Sequence, residues 1–153
     1  MQRALALEVG IGQAGGAAGG ADAFVLPWLL PAVARGLRIL ERLRGFDALW
    51  MSQLLVCFSE EDVARLLQRA AAAMTADSRL YILDTFWDRQ EHEVAAYSLQ
   101  AISLYFTCLA NGNSRMYKFS DIAAMVEAAG LRIEKVSGTL GICSSLLVCR
   151  RLR

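Results

Sequence analysis

The sequence has few of the residues that build metal centres and disulfide frameworks. It contains one histidine, His92, and four cysteines, none of them in a CxxC pair. Because a structural zinc site needs about four Cys or His ligands close together, we expect no metal site. The expected state of the cysteines is a buried, reduced thiol: Cys57, Cys108, Cys143 and Cys149. His92 lies between two glutamates at a helix start, which favours a surface position over a catalytic role.

Concentrated charge of either sign is also missing. The 16 basic and 15 acidic residues are scattered, and the net charge is +1. Nucleic-acid binding needs a concentrated positive field, so we expect no nucleic-acid partner.

Long uninterrupted hydrophobic runs are absent. Residues 94–110 come closest, but Ser98, Gln100 and Ser103 interrupt them, and a membrane helix needs roughly 18 apolar residues. Glu8 falls where the apolar centre of a signal peptide would lie, so we expect a cytoplasmic location and no membrane contact. The hydrophobic fraction is nonetheless 56%. Such a value indicates a sheet buried on both faces, or an apolar surface that meets a second copy or another protein.

The first 45 residues differ from the rest. They are rich in Gly, Ala and Arg, and "GQAGGAAGGA" at residues 12–21 indicates a flexible loop. Residues 4–10 are expected to form a short buried strand. Pro27 and Pro31 confine any regular helix to the part after Pro31. We therefore divide the chain into a divergent segment, 1–45, and an α/β domain, 46–153.

From residue 46 onward, strands and helices alternate. Ser59 is a good N-cap for an amphipathic helix, and Ser120 is expected to cap a later helix that Gly130 ends. The expected elements are a strand and its loop at 46–56, a helix after Ser59, a strand at 79–87, a long helix at 91–109, a helix after Ser120, and strands at 131–138 and 142–150.

This order predicts an α/β fold with a mostly parallel sheet. The last two strands are joined by only a few residues, so they must form an antiparallel hairpin. Ligands of such sheets bind at the carboxyl ends of the parallel strands. The loops there are residues 52–58 and 84–90.

Three segments resemble class I S-adenosylmethionine-dependent methyltransferases of the small-molecule O-methyltransferase type. "FDALWMSQLLVCFSEEDVARLLQRAAAAM" is similar to their fourth strand and the helix after it, and "SRLYILDTFWDRQ" to their fifth strand. "SLYFTCLANGNSRMYKFSDIAAMVEAAGLRIEKV" is similar to their acceptor-lining helix and the elements that follow. The resemblance covers residues 45–150. It implies a Rossmann-like methyltransferase sheet and S-adenosylmethionine as cofactor.

The resemblance also assigns roles. Val56 stands where plant-type relatives have their catalytic histidine, and Ser114 where they have a second acid. Asp84 matches their fifth-strand acid, so it is the candidate catalytic residue, either as a base or as an orienting carboxylate. A solvated acid at a strand end is the alternative. Ser52 stands where relatives have a cofactor-contacting lysine.

Five residues are candidates for the acceptor site: Trp87, Tyr105, Phe106, Asn111 and Asn113. The aromatic residues would form its apolar walls, and the asparagine amides would orient a hydroxylated acceptor. Core packing is the alternative for the aromatics. For the asparagines it is a simple turn around Gly112.

"LEVGIGQAGG" at residues 7–16 resembles the glycine loop that holds the cofactor, with Glu8, Gly10 and Gly12 as candidate contacts. Fewer than forty residues separate Gly10 from Asp47, whereas the family places two further strand-helix units there. The sheet is therefore expected to lack strands two and three. We find no acid for the cofactor ribose.

Two functions remain open. The first is methyl transfer from S-adenosylmethionine to a small acceptor. The second is a truncated or degenerate methyltransferase domain that acts only through protein contacts. A dinucleotide oxidoreductase is disfavoured, because no acid lies at the end of a second strand.

Overall fold

The computed structural model describes residues 4–8, 46–110 and 114–152. Its strands are β1 (Ala4–Glu8), β2 (Phe46–Ser52), β3 (Met74–Thr85), β4 (Leu131–Leu140) and β5 (Ser144–Arg151). Its α-helices are α1 (Glu60–Ala73), α2 (Glu93–Tyr105) and α3 (Phe119–Ala128). Short 3₁₀ turns follow β2 at Leu55–Cys57 and β3 at Trp87–Arg89, and a π-turn, Phe106–Ala110, continues α2.

The five strands form one sheet in the order β1-β2-β3-β5-β4. The pairs β1–β2 and β2–β3 are parallel, and β5 runs antiparallel to both β3 and β4. The predicted α/β sheet with a terminal antiparallel hairpin is thus confirmed. The strand expected at residues 4–10 is present as β1. Whether two family strands are missing depends on residues 9–45, which lie outside the described part.

One face of the sheet carries the core. Leu49, Met51, Leu80, Ile82 and Leu147 alternate along three strands and are fully buried or nearly so. The predicted stripe of α1 packs on them, and so does the inner face of α3: Val63, Leu66, Leu67, Ala70, Ile122 and Val126. Because a strand alternates its side chains, the same pattern leaves Trp50 and Tyr81 stacked on the other face, with ring centroids 5.5 Å apart.

β3 begins earlier than predicted. The expected strand spans 79–87, but the observed one starts at Met74 and ends at Thr85. Most residues of this additional stretch are polar, which is not typical of a buried strand. Ser78 Oγ bonds the amide of Thr75 at 2.8 Å and the carbonyl of Phe46 in the neighbouring strand. These bonds hold the polar stretch in the sheet, across an irregularity in the register between Phe46 and Ala48.

The two predicted helix caps differ in outcome. Ser59 caps α1 as expected, since its Oγ accepts the Asp62 amide at 3.3 Å. The prediction for Ser120 is wrong, because α3 begins at Phe119 and Lys118 holds the cap position. The amide of Phe119 instead donates to Asp88 Oδ1 at 2.8 Å. A carboxylate from the turn after β3 therefore satisfies this helix end. Gly130 follows α3 in the left-handed conformation, as predicted (φ 77°).

The cysteines only partly match their expected burial. All four are free thiols; Cys149 is buried and Cys57 and Cys143 are half-buried. Cys108 is exposed, so the prediction is wrong there, because the π-turn directs it away from the core. His92 is exposed, as predicted. In the part of the chain that the structure describes, every helix is too short or too polar to cross a membrane.

Replacing Ser59 by alanine is expected to lower the free energy of unfolding by about 1 kcal/mol, since the Asp62 amide loses its acceptor. Ser120→Ala is the matched control, because Ser120 is exposed and its hydroxyl reaches only Asp121 at 3.3 Å. Urea denaturation measures both. Equal losses for the two variants would contradict the capping assignment.

Candidate active site

The carboxyl ends of the three parallel strands meet at one edge of the sheet. Glu8 at the end of β1 is in register with Ser52 at the end of β2, and Ser52 with Leu83 in β3. The turns Leu55–Cys57 and Trp87–Arg89 leave from this edge. The structure thus places the backbone of Glu8 and of Ser52 side by side, while Asp84 lies one residue beyond Leu83.

Asp84 is a buried carboxylate that ties the loop after β2 to the end of β3. Asp84 is only 1% exposed, so the alternative that it is a solvated acid at a strand end is wrong. Oδ2 accepts the backbone amide of Leu55 at 3.2 Å, and Oδ1 accepts that of Thr85 at 2.9 Å. Burial raises the pKa of Asp84 to about 6, although hydrogen bonds from Thr85, Leu55 and Val56 oppose the rise. The carboxylate therefore anchors the loop that carries Val56.

The loop between Ser52 and Leu55 has an unusual backbone. Gln53 has φ 51°, and it is the only non-glycine with positive φ in the described part of the chain. Its amide donates to Leu83 O at 2.9 Å, and its side-chain amide donates to Ser144 Oγ at 3.4 Å. A left-handed residue that is bonded to both β3 and β5 marks a position where strain is maintained, and such positions cluster at ligand sites.

Cys57 lies beside this anchor and stays protonated. Burial and, to a smaller extent, the negative charge of Asp84 raise the pKa of its thiol to about 11. Its Sγ lies 3.8 Å from the Gln53 carbonyl. A neutral thiol of this kind is a packing group rather than a nucleophile.

Residues 114–119 connect the elements around the site. The amide of Arg115 donates to Val56 O at 3.0 Å, and the amide of Met116 donates to Ser103 Oγ in α2 at 3.0 Å. Tyr117 is buried, and its hydroxyl donates to Phe58 O at 2.7 Å. Burial raises the pKa of Tyr117, which keeps this donor protonated. The segment therefore fixes α2 and the loop after β2 relative to each other.

Cationic side chains of this segment lie on aromatic rings. The Lys118 ammonium is 5.1 Å from the centre of the Trp87 ring, and the Arg115 guanidinium is 4.9 Å from that of Tyr117. Arg115 also pairs with Glu60 at the start of α1. Trp87 is half-buried under this contact. Such cation–π contacts place a positive charge next to an apolar wall.

The aromatic candidates on α2 are not core residues. Tyr105 is 55% exposed, so its core interpretation is wrong, and Phe106 is half-buried. Their rings meet edge to face with centroids 5.6 Å apart. Apolar residues occur on all sides of α2, a pattern typical of a buried helix. In the structure, however, Leu99 is the only buried side chain of α2. Gly10, Gly12, Asn111 and Asn113 lie outside the described residues.

Ser52 and Asp84 lie at the same edge but on different faces. Ser52 is in register with Leu83, and side chains alternate along β3, so Ser52 and Asp84 point to opposite sides of the sheet. Ser52 is nevertheless buried, at 6% exposure. It is therefore placed to contact a ligand that crosses the strand ends rather than one held beside Asp84.

Sequence reasoning missed two residues of this site. Ser145 pairs with Asp84 across β3 and β5, and its buried Oγ has no hydrogen-bond partner among the described residues. Tyr117 is the buried link described above. Neither stands at a family motif, and Ser145 lies in an apolar strand pattern. Only the strand register brings Ser145 beside Asp84.

No protein-family profile matches the chain. The mitomycin biosynthesis 6-O-methyltransferase of Streptomyces lavendulae is 35% identical over 91 residues, which are 60% of this chain and 24% of that protein. The structure of the mitomycin 7-O-methyltransferase MmcR matches with a TM-score of 0.60 and 28% identity, over 71% of this chain and 30% of that one. The resemblance to small-molecule O-methyltransferases is confirmed for this part of the chain.

A third similar protein shares the fold. CalO1, a methyltransferase in calicheamicin biosynthesis, matches in its S-adenosylhomocysteine-bound form with a TM-score of 0.58 and 21% identity, over 73% of this chain and 32% of that one. The chain thus spans roughly a quarter to a third of the length of these relatives. The chain shares the fold of the corresponding part of these methyltransferases.

The buried Asp84 is expected to make stability depend on pH. The pKa of Asp84 in the folded state, about 6, lies above the usual aspartate value of 3.8. The native state therefore holds the proton more tightly than the unfolded state does. Its contribution is fully present below about pH 4 and is lost as pH rises through 6. Asp84→Asn should abolish this component, which is on the order of 2–3 kcal/mol.

Denaturant unfolding from pH 4 to 7.5 measures it, with Asp77→Asn on the exposed part of β3 as the control. The control should keep the parent slope. A slope in Asp84→Asn equal to that of the parent would show that Asp84 does not titrate in this window.

Proposed function

We propose that this chain takes part in methyl transfer from S-adenosylmethionine to a small hydroxylated acceptor. The match to the mitomycin 7-O-methyltransferase over 71% of the chain carries the proposal. The relatives are named for methylation of natural products, which favours an acceptor of that class.

The residues at the carboxyl edge fit the cofactor. Glu8 and Ser52 are neighbours there, and Gln53 next to Ser52 adopts a left-handed conformation. Gly10 and Gly12 follow β1 in the sequence and would let the backbone approach the ligand closely. When bound, S-adenosylmethionine supplies an electrophilic methyl group. We assign its binding to Glu8, Gly10, Gly12 and Ser52.

Asp84 is proposed to act as a positioning residue. Both of its oxygens already accept backbone amides, so it is engaged in holding the loop that carries Val56. An apolar residue at that position provides no base for the acceptor hydroxyl. Transfer then depends on alignment and on excluding water, which supply much of the rate in such reactions. An acceptor whose hydroxyl ionises near neutral pH fits this site best.

The acceptor wall is proposed to comprise Trp87, Tyr105, Phe106, Asn111 and Asn113. Trp87 lies under the Lys118 ammonium, which would favour an anionic or electron-rich ring beside it. Tyr105 and Phe106 offer a second aromatic surface on α2. We further propose that the protein is cytoplasmic. We also propose that it has no nucleic-acid partner and that it self-associates.

Calorimetric titration with S-adenosylhomocysteine tests the cofactor assignment. We expect micromolar binding by the parent chain and at least a tenfold weaker affinity for Gly10→Arg, whose side chain would occupy the cofactor loop. Gly138→Arg is the matched control, because a Cβ at Gly138 in β4 meets no atom within 4 Å. It should bind like the parent.

Absence of binding by a folded parent chain would favour the alternative, a degenerate domain that acts through protein contacts. Equal loss in both variants would refute the glycine loop as the cofactor site. A positive result leads to a methyl-transfer assay with acidic phenols as acceptors.

A further inference from the structure

Gln53 is the residue at which the chain leaves the carboxyl edge after β2. Its φ of 51° lies in the left-handed region, and no other non-glycine among the described residues has a positive φ. A glycine adopts this conformation freely, whereas a residue with a Cβ adopts it at an energetic cost. The chain therefore keeps a side chain at a place where the backbone alone would favour glycine. Such an outlier points to a role for the side chain itself.

The polar groups of Gln53 reach different parts of the edge. Its backbone amide donates to Leu83 O in β3 at 2.9 Å. Its side-chain amide donates to the hydroxyl of Ser144, the first residue of β5, at 3.4 Å. Its carbonyl oxygen lies 3.8 Å from the thiol of Cys57 in the same loop. Gln53 therefore ties the end of β2 to both β3 and β5.

The bond to Ser144 needs a long side chain. β3 lies between β2 and β5 in the sheet, and neighbouring strands are about 4.8 Å apart. The side chain of Gln53 must therefore reach across the end of β3, and its bond to Ser144 is already long at 3.4 Å. Asparagine also tolerates the left-handed region, but it is one methylene shorter and would not make this bond.

Gln53 also marks the point where the chain passes from one face of the sheet to the other. By the strand register, Ser52 and Ser144 lie on the same face, and Asp84 lies on the opposite one. Just after Gln53 the main chain turns to the face of Asp84, where the amide of Leu55 donates to its carboxylate. The side chain of Gln53 thus stays on the face of Ser52 while the main chain leaves it.

We propose that Gln53 is a positioning residue of the cofactor site. Its bond to Ser144 holds the end of β2 and the loop after it at a fixed place on the edge, so that Ser52 meets the ligand and Leu55 reaches Asp84. The inference rests on the proposed function, because the ligand that uses this arrangement is S-adenosylmethionine. It extends the site to β5, which supplies none of the assigned cofactor contacts.

Amide hydrogen exchange of the full chain, without any ligand, tests the arrangement. Gln53→Asn keeps a residue that tolerates the left-handed backbone, and Ser144→Ala removes the acceptor. Each change should speed exchange of the Gln53 and Leu55 amides about fivefold, which corresponds to the loss of one hydrogen bond. The amide of Leu80 in the middle of β3 should be unaffected. Ser137→Ala, at a half-buried serine of β4, is the matched control and should exchange like the parent.

Calorimetric titration with S-adenosylhomocysteine tests the link to the ligand. Gln53→Asn and Ser144→Ala should each weaken binding about fivefold, and the double variant should bind no more weakly than either single one, because both remove the same bond. Gln53→Gly separates this role from stability. It relieves the backbone cost and lacks the side chain, so it should resist urea at least as well as Gln53→Asn and yet bind as weakly.

Unchanged exchange of the Leu55 amide in Gln53→Asn would overturn the proposal, as would affinity losses that multiply in the double variant. Normal S-adenosylhomocysteine binding by Gln53→Asn would also overturn it and would leave the proposed function standing. A folded parent chain that binds no S-adenosylhomocysteine would refute the proposed function. The exchange rates would then still decide whether Gln53 holds the loop, because they need no ligand.

Discussion

The hydrogen bonds of the Asp84 carboxylate hold the site together. Two strands end side by side at the carboxyl edge, and their loops would otherwise be free to separate. Asp84 accepts the amide of Leu55 from the loop after β2 and that of its neighbour Thr85, the last residue of β3. Burying this charge is costly, as its raised pKa indicates, and the backbone donors offset part of the cost. A carboxylate held this way can position a loop, but it has little capacity left for proton transfer.

Residues 114–119 extend this order to the rest of the site. They bond the loop after β2 through Val56 and Phe58, α2 through Ser103, and the turn after β3 through Asp88. The segment therefore connects α2 with the loops that follow β2 and β3 at the carboxyl edge of the sheet. It also explains how α2 stays in place with so little buried surface, since its attachment is polar and local. The outer face of α2 is apolar and exposed in the described part of the chain.

Much of the fold follows from local patterns in the sequence. The stripe of α1, the cap at Ser59 and the short link before β5 each predict one outcome, and each is observed. The failures have a common cause in contacts between distant segments. Asp88 caps α3 in place of Ser120, Ser78 draws a polar stretch into β3, and Ser145 meets Asp84 only through the strand register. The core alternative for Tyr105 is wrong because an apolar helix face has the same sequence pattern whether it is buried or exposed.

We propose that the carboxyl edge of this sheet binds the cofactor. Backbone amide NMR of the full chain during titration with S-adenosylhomocysteine tests this binding site. We expect chemical-shift changes concentrated at Glu8, Ser52, Gln53 and Leu55, with the amides of Arg79 and Arg150 at the opposite edge unaffected. An unchanged spectrum, or shifts gathered at the opposite edge, would contradict it.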